Sequence, residues 1–519
     1  MGEAKRRQEL ARNRVSQAVT EAMGWVDTAG GKVQVRWNEA AAVTPFGQMA
    51  YFIEFLNLTG LLEAWLNDCP VTYLSPNAPT KRDLLGTWLL SILAGHKRYA
   101  HVTSVRSDGV NPELLGMQRV VSEDALRRGL EKIPEEPGIA WLRDHLERSV
   151  LPLLKAPWIL DVDTTIKVLY GKQEGAVVGY NPKKPGRPSH PYHTYLVAGL
   201  RLVLDAEGLA GNQSHSHHSL PGLLRLLDRL SLDQRPYLVR GDCDFGNDPV
   251  MRELEARDQP YLFKLRLTAG VKRLIERSWF GRAWEEAGAG WQGLEGQLRL
   301  SGWDRERRVV VLRRPLRGEV VLAGRQVEGQ TVLAFIEEEA PLKRYEYAVL
   351  VTSLPHEVPT IAQLYRDRGD AENSFDELKN QWGWGGFTTK DLHRCQLTAR
   401  AVALAYNWWS LFVRLAHPQA RLEAITSRPL LLTGIAEKTR HARQERLTIT
   451  PVHGHGERAK TLLTQVSAML KAWQSTAEQL KLKTVWESVC DHRITILTGF
   501  KWLVPGLEPP VPIVEATPD

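Results

Sequence analysis

Apolar positions change their period twice along this chain. Up to about residue 150 they recur at helical spacing, and Leu84, Leu85, Trp88, Leu89, Leu90 and Ile92 form one compact set. The stretch PELLGMQRVVSEDALRRGLEKI predicts a short helix ending near Gly116. A second helix comes next, with Ser122 as its N-cap and Glu123 and Asp124 in its first turn. That second helix carries Arg127, Arg128 and Lys132. The pair reads either as a DNA-reading helix-turn-helix or as a plain helical hairpin with a solvated face.

From about residue 156 the pattern becomes that of strands. Residues 158–163 predict a buried strand ending in acid, 194–205 a second strand, 237–242 a third again ending in acid, and 260–265 a fourth. Helical patterns at 220–230 and 249–256 separate them. This alternation predicts an α/β domain around a mixed or parallel sheet. Residues 270 to about 345 interrupt it with Trp, Gly and Arg and with β-like runs at 309–312 and 331–335, which reads as a β-rich insertion. A strand at 348–352 and a helix from 361 to about 381 resume the core. The remainder, about 390–490, reads as helical, with the apolar run ARAVALAYNWWSLFVRLA as a packing or dimerisation face.

Composition narrows the function classes. At 519 residues the chain holds roughly three domains. Hydrophobic residues make up 43% and charged residues 24%, which excludes disorder for most of the chain. No uncharged apolar stretch reaches about 18 residues, so no membrane span or membrane partner is expected. MGEAKRRQELARNR has no apolar run behind it, so no secretory signal is expected either. The four cysteines are dispersed without a CxxC pair, which predicts a reducing, cytoplasmic compartment. Lys and Arg outnumber Asp and Glu by 67 to 60, a balance that permits a polyanionic partner.

The candidate chemistry is acidic. Two strands deliver Asp163 (or Asp161) and Asp242 to strand ends, where open α/β sheets gather functional groups. Asp161 and Asp163 are two apart and share a face. Carboxylates meeting without an obvious cation suit a hard divalent metal such as Mg²⁺. In LYRDRGDAENSFDELKNQWGW, Tyr365, Arg368, Glu372 and Lys379 fall within about a 60° arc of one helix face. Asp376 is the rival carboxylate on that stripe. The alternative is a solvated helix with i,i+4 pairs.

These residues carry a resemblance. The spacing Tyr365-x2-Arg368-x3-Glu372-x6-Lys379 is similar to the "YREK" signature of DDE transposases of bacterial insertion sequences, in the IS1380-like branch of the IS4-related group. Asp163-Thr164-Thr165, residues 241–246 (GDCDFG) and residues 179–189 (GYNPKKPGRPS) resemble that group's motifs, over about 156–400. The resemblance implies an α/β fold whose RNase H-like catalytic core is interrupted by a β-rich insertion and flanked by helical N- and C-terminal regions. The implied division is 1–150 for DNA ends, 151–268 and 347–400 for the core, 269–346 for the insertion, and 401–519 for a helical, dimerising region. It implies metal-dependent cleavage and strand transfer at an element's terminal inverted repeats, in the bacterial cytoplasm. Asp163, Asp242 and Glu372 would be catalytic residues and ligands of Mg²⁺, with Mn²⁺ as substitute. Tyr365, Arg368 and Lys379 would hold phosphates. The partners would be double-stranded DNA, both element ends and target, and a second copy of the chain in the synaptic complex.

Other residues give weaker signals. Residues 180–192 hold Lys183, Lys184, Arg187 and His190 among prolines, a stiff basic loop suited to DNA backbone contact or an ordinary surface loop. Asp244 is either an extra ligand or the cap of the following turn. His215, His217 and His218 lack the companions of a zinc site and read as polar loop residues, as do His453 and His455. Trp279, Trp284, Trp291, Trp303, Trp382 and Trp384 are core, or surfaces for a flipped base. Another enzyme on the same core, such as a nuclease or resolvase, is an alternative against which the YREK helix and the insertion argue. An inactive, transposase-derived DNA-binding protein is the non-enzymatic alternative. A glycosidase built on paired carboxylates would leave Arg368 and Lys379 unexplained.

Overall fold

The computed structural model describes residues 24–35, 42–154, 157–279, 283–316, 345–441, 444–480 and 484–498. The strand expected at 331–335 lies outside them. No helix among the described residues is long and apolar enough to cross a membrane.

The N-terminal helices form where caps and apolar spacing place them. Helix α1 (Lys81–Leu93) starts at Thr80, whose hydroxyl accepts from the Asp83 amide at 3.0 Å. It is buried from Asp83 to Leu93, so it is the axis of a helical cluster rather than a surface helix. Gly116 takes φ +69° just beyond the short helix Asn111–Leu114. Ser122 caps α2 (Glu123–Glu131) by accepting from the Ala125 amide at 3.2 Å. Helix α3 (Glu135–Val150) comes after it. The region also contains β structure. Strands β1 (Trp25–Thr28) and β2 (Gly31–Gln34) form a hairpin, and β3 (Ala42–Thr44) joins a sheet from the far end of the chain.

A ten-stranded mixed sheet carries the centre. Its first strands are β4 (Ile159–Val168), β5 (Val177–Val178), β6 (Pro188–Val197), β7 (Leu202–Gly208), β8 (Leu238–Gly241) and β9 (Tyr261–Lys264). β7, β6 and β4 are antiparallel neighbours, whereas β4, β8 and β9 run parallel. Parallel neighbours need crossovers, supplied by α4 (Ser216–Arg229) and the helix Asp248–Glu255. The stretch read as one strand over 194–205 is a hairpin, β6 then β7, turning through Arg201 at φ 53°. Buried Ala198 and Leu200 in the turn hid it from a polarity reading. The basic loop ends earlier than expected, because its prolines tolerate the extended backbone of β6.

Helix Ala269–Trp279 leads into β10 (Glu285–Glu286), β11 (Gln292–Leu298) and β12 (Arg307–Pro315). These extend the same sheet through β13 (Tyr345–Thr352), which pairs with β9. Alternate strand residues feed two cores. Leu160, Val162, Val239 and Phe263 join the main cluster, while Ile159, Leu238 and Leu262 pack against Ile361, Ala362 and Leu364 of α5 (Val358–Arg366).

The helix expected from 361 to about 381 is two. After α5 the chain tightens into i→i−3 bonds, Arg368 N to Tyr365 O at 3.2 Å and Ala371 N to Arg368 O at 2.9 Å, before α6 (Gly369–Asn380). Helix α7 (Leu392–Ala416) holds the long apolar run. It is buried along almost its whole length among β7, α3 and the helices Met49–Leu58 and Gly456–Leu480. The region read as helical beyond it also holds the hairpin β14 (Ile435–His441) and β15 (Gln444–Thr450), which β3 completes.

One buried ion pair ties these parts together. Asp161 on β4 lies opposite Arg240 on β8, and each is 1% exposed. Arg240 donates Nε to Oδ1 at 2.6 Å and Nη2 to Oδ2 at 2.8 Å, and its Nη1 donates to the Leu364 carbonyl of α5. Arg240→Met leaves Asp161 buried and unpaired. A stability loss of about 3–5 kcal/mol is expected. Urea unfolding reads it, and Asp161→Leu combined with Arg240→Met should recover most of the loss.

Candidate active site

β4 outruns its parallel neighbour. Val162 lies opposite Gly241, the last residue of β8, so Asp163 and Asp242 are the next residues on adjacent strands. Neighbouring strands are about 4.8 Å apart, so the two carboxylates stand side by side where β8 ends. Asp163 is not the end of its own strand, as the sequence pattern had it, because β4 continues to Val168 against β6. It is the neighbour, β8, that ends there. Asp161 is committed to Arg240, which leaves Asp163 as the β4 carboxylate beside Asp242.

A cation meets them from the turn between α5 and α6. Arg368 Nη2 donates to Asp163 Oδ2, and the Thr164 amide donates to Oδ1 at 2.7 Å. Burial pushes the Asp163 carboxyl up to about 6. Arg368 opposes that shift, and the Asp242 carboxylate adds to it. Burial likewise raises the Tyr365 hydroxyl to about 12, with Arg368 opposing and Asp242 reinforcing. Burial disfavours the Arg368 cation too, but Asp163, Tyr365 and Asp242 outweigh it and hold its pKa above the usual value. Burial lowers the Lys379 ammonium on α6 to about 8. Lys183 acts in the same sense and Asp163 against it. Asp163, Asp242, Tyr365, Arg368, Lys379 and Lys183 thus share one electrostatic neighbourhood.

Glu372 is not part of that group. It is exposed on the first turn of α6, one helical turn past Arg368, and makes no hydrogen bond or ion pair among the described residues. Asp376 is exposed as well and accepts from Asn380 at 2.7 Å. Among the described residues, no three His, Cys, Asp or Glu side chains converge into an ion-binding cluster. The donor chemistry of Asp163 and Asp242 nevertheless fits a divalent cation. They are hard oxygen ligands, and the cost of burying the Asp163 charge is only partly offset by Arg368.

A cleft of about 230 Å³ opens at Asp242, lined also by Thr164, Tyr180, His215, Asp244 and Arg266. Asp244 accepts from the Ser216 amide at the start of α4 and from Arg266 Nη2 at 2.5 Å. Its carboxylate therefore caps the start of α4 rather than the turn that follows it in the sequence. The sequence pattern did not pick out Arg266. A cation placed just after a parallel strand is the signal that could have found it. His215 approaches Asp244 at 3.4 Å, and the rings of His217 and His218 lie 3.7 Å apart. Deeper in, Thr164 Oγ1 bonds His193 Nδ1 at 2.7 Å, and His193 Nε2 bonds the Gln213 carbonyl at 2.8 Å. Burial lowers the His193 imidazole to about 4.

Lys184 and Arg187 lie over Tyr170, at 5.1 and 5.7 Å from its ring centroid. Trp382 and Trp384 are core. Arg313, Arg314 and Arg307 cover Trp284, Trp291 and Trp303 at 4.0, 4.8 and 5.3 Å. The side chain of Trp279 lies outside the described residues.

A family model described as transposase DDE domain group 1 matches residues 58–471. No curated protein matches the sequence. Among solved structures, the chain is similar to a piggyBac transposase in a synaptic complex with hairpin DNA, at 10% identity and a TM-score of 0.35, over 88% of each chain.

His193 supplies a pH test. It stays neutral in the folded protein down to about 4, whereas an unfolded histidine takes a proton near 6.5. Between those values the unfolded chain binds more protons, so this contribution is intact above pH 6.5 and lost as pH falls toward 4. Between pH 7 and pH 5 the wild type should lose roughly 2 kcal/mol more than His193→Gln. Urea midpoints at the two pH values measure it.

Proposed function

Because the matched model spans most of its length, the chain belongs to the transposase DDE domain group 1 family, and from that premise we propose that it cuts and joins DNA at the terminal inverted repeats of an insertion sequence. The observation that carries this reading is the meeting of Asp163, Asp242 and Arg368 where β8 ends beside β4. The spacing of Tyr365, Arg368, Glu372 and Lys379 supports the IS1380-like branch of the IS4-related group, acting in the bacterial cytoplasm. The order β7-β6-β4-β8-β9, antiparallel and then parallel, supports an RNase H-like core over 151–268 and 347–400. Residues 269–346 are the insertion, 1–150 the end-binding region and 401–519 the dimerising one.

In this reading Asp163, Asp242 and Glu372 hold Mg²⁺, or Mn²⁺ in its place. The bound ions would lower the pKa of the attacking water or DNA 3′-hydroxyl and stabilise the leaving oxygen. The chain's own residues do the rest. Arg368 has a buried Nε without a hydrogen-bond partner, a donor available to a phosphate oxygen. Tyr365 stays protonated and can donate as well. Lys379 adds a point charge, while Lys183, Lys184 and Arg187 contact the duplex backbone. Two copies with two element ends form the working complex.

The exposure of Glu372 favours one rival, a transposase-derived protein that binds DNA without cutting it. A labelled duplex carrying the element's end, with Mg²⁺ or with EDTA, separates the two. We expect metal-dependent cutting at the element boundary. Asp242→Asn and Glu372→Gln should each reduce it by about 100-fold or more while the duplex is still bound. Binding without cutting in Mg²⁺ or Mn²⁺ would establish the rival. Full cutting by Glu372→Gln would remove that residue from the ligand set.

A further inference from the structure

Outside the β1–β2 hairpin, the exposed aromatic rings among the described residues are Tyr170 and Tyr180, at 70% and 63% exposure. Both belong to the arm that links β4 to β6. The same arm carries Lys172, Lys183, Lys184 and Arg187, all exposed. Its one carboxylate, Glu174, is turned back to the chain, where Oε2 accepts from the Leu392 amide at 3.0 Å. Tyr170 is engaged by Lys184 and Arg187. Tyr180 makes no hydrogen bond or ring contact among the described residues, and it lines the cleft that opens at Asp242.

Tyr180 is displayed at a fixed place. A Cβ on Gly179 would lie 1.9 Å from the Gly211 carbonyl oxygen, and one on Gly211 would lie 2.0 Å from that of Val177. Backbone thus packs directly on backbone beside the ring. The Gly211 amide also donates to the Gly175 carbonyl at 2.9 Å. A backbone held this way has little conformational freedom left to lose when the ring it carries binds something.

Rings alternating with cations are what an unpaired strand requires, since bases stack on the rings and phosphates meet the charges. A closed duplex buries its base faces and uses only the charges. Trp382 and Trp384 are core, and Trp284, Trp291 and Trp303 are covered by arginines. We propose that the arm spanning residues 170–187 grips single-stranded DNA, with Tyr180 stacking an unpaired base at the mouth of the Asp242 cleft. This rests on the DNA-cutting function proposed above.

The test compares a blunt duplex with the same duplex extended by a 3′ overhang carrying 2-aminopurine. The wild type should prefer the overhang and quench the 2-aminopurine. Tyr180→Ala should lose about 5- to 100-fold of that preference, together with the quench. Tyr180→Trp should retain both. Preference and quench that persist in Tyr180→Ala, or are absent from a wild type that still binds DNA, overturn the arm proposal alone. A wild type that binds neither DNA overturns the transposase reading with it.

Discussion

The buried pair of Asp161 and Arg240 sets the geometry on which the candidate site depends. Register in a sheet is discrete, and a slip of one residue sends every side chain to the opposite face. Pairing the two charges directly across β4 and β8 fixes Leu160 against Val239 and Val162 against Gly241. The next residues, Asp163 and Asp242, then have to emerge side by side. The third donor of Arg240, on the Leu364 carbonyl, fixes α5 to the same register. Tyr365 comes next in the chain and Arg368 three residues on, so one guanidinium places both strands and the helix that faces them. An apolar substitute of the same shape would match it in stability. It would not specify the register in this way.

That placement sets two carboxylates beside each other where water is scarce. Unpaired, they would be costly, and burial shifts Asp163 far enough to show the strain. Arg368 relieves part of it through its bond to Asp163, yet its own Nε finds no partner. The site therefore has a carboxylate pair short of positive charge and a cation short of acceptors. In the proposed function, cations and a phosphate supply the two deficits together.

How much of this was legible in the sequence depends on how local each signal is. Caps are local, and Ser122, Gly116 and the strand before Asp242 stand where the pattern put them. The hairpin at 198–201 was not legible, because Ala198 and Leu200 in its turn are apolar and buried. Nor was the break at Arg368. An aligned face over Tyr365, Arg368, Glu372 and Lys379 assumes one straight helix, and the tightened turn rotates Glu372 and Lys379 relative to Tyr365. Which of Asp161 and Asp163 stands free beside Asp242 could not be read from two residues on one face. It needed the arginine on the neighbouring strand, a long-range contact that spacing does not encode. The basic loop and the carboxylates were both visible, but only the fold brings Lys183 toward Lys379 and Tyr180 to the cleft.

The break also bears on how an exposed glutamate relates to a buried pair of aspartates. Asp163 on β4 and Asp242 just past β8 cannot shift without breaking the sheet, so in the proposed function it is Glu372 that would have to travel. The two ends of α6 are held very differently. At the far end Glu377 is buried, accepts from Arg421 Nη2 at 2.5 Å and from the Ala424 amide at 3.0 Å, and cannot be released cheaply. At the near end the first turn is held by Arg201 on Asp370 at 2.7 Å, with Asp370 43% exposed. A pair exposed to that degree is worth about 1 kcal/mol or less. Inward travel of Glu372 would pivot about the Glu377 anchor against the Arg201–Asp370 pair and the burial of Ala371, Ser374 and Phe375, and in the proposed function attraction to cations at Asp163 and Asp242 would have to exceed both.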